Sequence, residues 1–88
     1  MKLSALEKDW DVNEITFSQK REIHALNAKV WWGEGQDSDA YYSLLERVRS
    51  ISGITERDFE DMAMAEVDSV LQAVFMRYMG LDQKKNGV

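Results

Sequence analysis

The sequence predicts an all-α fold, a small bundle of three main helices plus one short helix, and three observations lead there. The first is the stripe Val67, Val70, Leu71, Val74, Phe75, Tyr78 and Met79, spaced at i, i+3, i+4, i+7, i+8, i+11 and i+12, closed at once by Gly80, with Leu81 placed to fold back onto the last turn. The second is a pair of further helical segments, each preceded by a capping residue and followed by glycine. The third is the absence of any strand pattern that competes. The short apolar run at residues 30–32 reads either way.

The first fourteen residues carry mixed signals. Leu3, Leu6 and Trp10 have helical spacing and Ser4 with Glu7 could form a capping box, whereas Asp9, Asp11 and Asn13 favour turns. The segment 1–14 is therefore expected to be an arm or a short helical turn, with Trp10 and Val12 available to pack on the body. Thr16 and Gln19 then have the spacing of a reciprocal cap. The helix they start should run to Trp32 with Ile23, Leu26 and Val30 inward, broadened by Phe17 and Trp31. Asn27 borders that stripe, and Gly33 with Gly35 should end it.

The next helix is expected over residues 38–52, capped by Asp37 or Ser38, with Asp39 at the positive end of its dipole. Tyr41, Leu44, Leu45, Val48 and Ile51 face inward. Glu46, Arg47 and Arg49 read as a solvated face, and Gly53 ends the helix with Ile54 closing onto it. Thr55 restarts a helix, and Ile54 with Phe59 have the spacing of a hydrophobic staple. One helix from residue 56 to 79 would be long for so small a domain, so a break is expected at residues 61–63. In all, one domain spans 15–81, and 82–88 is a polar, flexible tail.

At 88 residues the chain buries only roughly 60–65% of its unfolded surface, so its core is small and a partner or self-association would add to its stability. Cysteine is absent, which removes disulfides, thiolate metal sites and cysteine nucleophiles together. With no apolar run of about 18 residues and no basic-then-apolar N-terminus, no membrane partner and a cytoplasmic location are expected. The net charge is −5 and concentrated in the middle, where residues 34–70 hold ten acidic and three basic side chains. Such a middle repels phosphate and argues against nucleic acid.

No catalytic, cofactor or metal site is expected. His24 is the single histidine and has no nucleophile motif around it. The pairs Asp37 with Asp39 and Asp58 with Asp61 lack the loop that calcium needs, and caps or a solvated face account for both. Gly33-Glu34-Gly35 is too short and acidic to cradle phosphate. The apolar surplus says more. Neighbours on a helix point about 100° apart, so Trp31 with Trp32, and Tyr41 with Tyr42, cannot both centre on one narrow stripe. Met76 and Met79 add flexible thioethers suited to adaptable surfaces. These six residues are the candidate protein-binding face, although a wide core with amphipathic rims would absorb them equally well.

The run Ile15-Thr16-Phe17-Ser18-Gln19-Lys20-Arg21-Glu22-Ile23-His24-Ala25-Leu26-Asn27-Ala28-Lys29, continued by Trp32-Gly33, Asp39-Ala40-Tyr41-Tyr42 and Ser52-Gly53, resembles the small tail assembly chaperones of tailed bacteriophages. The resemblance covers residues 15–80 in order and size. It implies a non-enzymatic helical protein of the host cytoplasm that binds the aggregation-prone tape measure protein while the tail tube polymerises, the tube protein being a second candidate partner. It also implies release before the virion is finished, and a longer frameshifted form in which Lys84-Lys85 would be encoded by a slippery adenine run. A structural adaptor retained in a phage or bacterial assembly is the alternative. A helix-turn-helix regulator is a poorer one, because a basic recognition helix is missing.

Overall fold

The computed structural model describes residues 1–32 and 38–81, less the side chains of Trp32 and Ser38. Its order is β1 (Lys2–Ala5), β2 (Lys8–Asp11), α1 (Phe17–Trp32), α2 (Ser38–Ser52), a single 3-10 turn (Glu56–Phe59) and α3 (Met64–Met79). The molecule is mostly helical, but it carries a two-stranded antiparallel sheet and so is not purely all-α.

That sheet corrects the reading of the N-terminus. Residues 2–11 form a hairpin in which Leu3 pairs with Trp10, and both are buried. The apparent helical spacing of Leu3, Leu6 and Trp10 dissolves, because Leu6 sits half-exposed in the turn. Ser4 donates to Asp9 across the strands at 3.1 Å rather than capping a helix with Glu7. Leu6 and Glu7 both have positive φ, 55° and 60°, the geometry of a tight mirror-image turn. Asparagine and glycine adopt it readily, leucine and glutamate do not, so the usual hairpin signal is missing from the sequence.

Asn13 fastens the hairpin to the bundle. Its backbone N–H donates to the Ser52 carbonyl at 2.9 Å and its side chain to the Ile51 carbonyl at 3.2 Å. Its own carbonyl accepts from the Tyr78 hydroxyl at 2.7 Å, which ties the C-terminal ends of α2 and α3 to one residue. Gly53 has φ +86° and lies so close that a Cβ there would stand 2.8 Å from the Asn13 side chain. Glycine is thus needed twice over, for the helix stop and for the approach of the hairpin.

The helices follow the expected pattern. Gln19 and Thr16 cap α1 reciprocally, at 3.0 and 3.1 Å. The break before α3 falls where expected, with Asp58 accepting from the Thr55 amide and hydroxyl, which holds its carboxyl below the usual carboxylate range. Gly80, at φ +75°, closes α3: its N–H donates to Arg77, and the Leu81 N–H to Met76. Ile23, Val48, Val70 and Val74 are the most deeply buried side chains, so the core lies where the three helices meet.

Four expectations are refined. Phe17 is 71% exposed and does not broaden the core stripe of α1. Arg49 is mostly buried; it pairs with Glu46 and donates to the Ile54 carbonyl at 2.9 Å, steadying the turn after α2. Arg47 reaches across to Glu22 on α1 with two bonds, at 2.7 and 3.1 Å. Leu81 stays exposed rather than folding onto the last turn. The glycine stop at 33 and 35, the Asp37 and Ser38 caps and the 82–88 tail lie outside the described residues.

Candidate functional site

Glu22 meets Arg47 while Tyr41 meets Gln72, whose side-chain amide donates to the tyrosine hydroxyl. The hairpin covers one flank of α3 through Asn13 and Tyr78. On the other flank α1, α2 and α3 leave a cleft of about 670 Å³. Val30, Leu44, Leu45 and Phe75 make its floor and walls, and Trp31, Tyr41, Tyr42 and Met76 stand around it.

Four of the six residues expected at a binding face therefore come together. Trp31 and Tyr42 are 55% and 52% exposed, and Met76 is 42% exposed. Tyr41 is half-buried and meets Tyr42 edge to face, with ring centroids 5.1 Å apart. The 100° step between neighbours accounts for this division: Tyr41 turns into the groove wall while Tyr42 turns outward. Asn27 accepts a hydrogen bond from the Trp31 indole at 3.1 Å and so holds that ring to its own helix, one turn on. Polar groups among the described residues at this cleft are two amides, two phenols and an indole, so it is suited to apolar contact with few directional bonds.

Met79 does not join them. It is partly buried against the core and borders a separate shallow depression with His24, Tyr78 and Arg77. Trp32 ends α1, and its side chain lies outside the described residues.

A second hollow of about 410 Å³ continues from the first, sharing Tyr42 and Leu45 with it. It runs between α2 and the start of α3, over Phe59, Val67 and Leu71, and Met64 beside it is 65% exposed. Met62 and Met64 lie outside the face expected from the sequence, although they carry the same flexible thioether. Their place here follows from the expected break at Ala63, where ψ is 151°, which starts α3 at Met64 and leaves both methionines beside this hollow.

Charges sit at one end of this surface. Glu46, Arg49, Glu56 and Asp68 border the second hollow, and among the described residues no charged group lines the first. Among the described residues no group of three His, Cys, Asp or Glu side chains converges as a metal ion would require, and no helix is long and apolar enough to cross a membrane. Among the described residues Tyr78 is the one side chain pushed far from its ordinary range, up to about 12, mainly because it is buried and secondarily because Glu14 is near. It serves the hairpin junction, not the cleft. Compared with protein-family models, with curated proteins and with solved structures, the chain matches none.

Proposed function

We propose that this chain is a non-enzymatic tail assembly chaperone of a tailed bacteriophage, which binds apolar helical segments of the tape measure protein and keeps them soluble while the tail tube forms. The observation that carries the reading is the gathering of Trp31, Tyr41, Tyr42 and Met76 around one apolar cleft between three helices. Aromatic rings and a methionine on a concave surface bind a variable apolar helix well, because rings lose little rotamer freedom and the thioether adapts. The acidic body supports the same reading, since it keeps a protein with open apolar surface from associating with itself.

The test is co-expression with the long, helical, poorly soluble protein encoded downstream. Soluble client that co-purifies with the chain, and returns to the pellet with Trp31→Ala plus Tyr42→Ala, is the expected result. A client that stays insoluble, with the chain found instead inside purified particles, replaces the chaperone with the structural adaptor.

A further inference from the structure

The two hollows form one surface, and its charge is one-sided. Along α3 it extends from Met76 to Met64, twelve residues or about 18 Å of helix. At the Met76 end the polar groups among the described residues are the Asn27 and Gln72 amides, two tyrosine hydroxyls and an indole, all uncharged. At the Met64 end Glu46, Glu56 and Asp68 border it against one cation, Arg49, which is already engaged by Glu46 and the Ile54 carbonyl. The surroundings strengthen this bias, for residues 56–68 hold six acidic side chains and one arginine.

We infer that the groove takes an amphipathic helix of about twelve residues whose apolar face is continuous and whose basic side chains are gathered at one end, the end lying over Met64. This rests on the chaperone reading and specifies its client. Length follows from the span of α3 between the two exposed methionines. The apolar face is required by Trp31, Tyr42, Met76 and Met64, which bind through area and shape. Direction is set by charge: a lysine or arginine over Glu56 and Asp68 gains attraction, while the same residue over Phe75 and Tyr42 would lose its water with no partner. The helix N-terminus carries partial positive charge and favours the same end, so the client's N-terminal turn lies over Met64 and its C-terminal turn over Met76.

The probe is a pair of synthetic helical peptides of about 18 residues, long enough to hold a helix, with one identical leucine and phenylalanine face. One carries two lysines at its N-terminal end and the other two glutamates at the same positions. Binding of each, fluorescein-labelled, is followed by anisotropy at low and high salt. The lysine peptide should bind at least about fivefold more tightly at low salt, and the gap should close at high salt and with Glu56→Gln plus Asp68→Asn. Equal affinities would overturn the directional inference and leave the apolar groove standing. If neither peptide binds a chain whose circular dichroism is native, the groove is no docking site and the chaperone reading falls with it. A free chain that sediments as a dimer and becomes monomeric with Trp31→Ala would give the groove to a second copy and overturn the inference.

Discussion

Two tryptophans and two tyrosines divide this molecule into a sealed side and an open side. Trp10 is 5% exposed and Tyr78 4%, whereas Trp31 is 55% and Tyr42 52% exposed. On the sealed side the hairpin lies over the helices. Trp10 stacks at a tilt on Phe59 with centroids 5.6 Å apart, donates to the Ala5 carbonyl and has the Lys8 ammonium over its ring. On the open side no element among the described residues covers the corresponding rings, and the Trp31 indole donates to Asn27 of its own helix. The contrast teaches that the same residue types, on helices or strands of the same domain, serve stability or binding according to whether ten N-terminal residues reach them.

Breaking the sealed side should have the largest effect. Trp10→Ala removes the centre of the hairpin contact and is expected to cost about 3–5 kcal/mol, read as a fall in the midpoint of urea denaturation. For a domain this small that loss is a large part of the total stability.

Tyr78 sharpens the comparison through pH. Its hydroxyl keeps its proton up to about 12 in the folded chain, while in the unfolded chain it releases it near 10. The unfolded state therefore holds fewer protons between those values, and stability falls as pH rises through that window by about 2 kcal/mol. Below pH 10 both states are protonated and the effect vanishes. Denaturation followed from pH 8 to 12 should show the decline, and Tyr78→Phe should flatten it, at the cost of about 1 kcal/mol at neutral pH for the lost bond to Asn13.

A smaller effect of opposite sign is expected at the hairpin turn. Leu6→Asn with Glu7→Gly places residues that tolerate positive φ where both angles are positive, and should raise stability by about 1 kcal/mol. A lowered thermal midpoint would mean that the turn is held by side-chain contacts rather than strained by them. Smallest of all for stability is the open side. Trp31→Ala and Tyr42→Ala should each shift the denaturation midpoint by less than about 1 kcal/mol while removing binding of an apolar helix, the reverse of what Trp10→Ala does.

Much of this was legible in the chain. The three helices and the break before α3 follow from apolar periodicity and from caps whose partners lie three residues away, Thr16 with Gln19 and Thr55 with Asp58. Such signals are local, so sequence carries them in full. The surplus argument about adjacent aromatics named Trp31, Tyr41, Tyr42 and Met76, which then converge on one cleft. It could not separate Met79, which has the same chemistry and the same helix, because membership depends on which flank of α3 the hairpin covers.

Local chemistry by itself determined where helices start, stop and present apolar residues, and it marked more aromatic and thioether surface than one stripe can bury. Tertiary structure decided the rest. The hairpin exists because Leu3, Trp10 and Val12 bury themselves on the bundle and Asn13 locks onto α2 and α3 across 38 and 65 residues of sequence. Two short strands with a strained turn gain too little on their own to form in water, so nothing within residues 1–14 can specify them. The open cleft has the same origin: it is the flank that the hairpin does not reach, and coverage is a property of packing between distant segments rather than of any one of them.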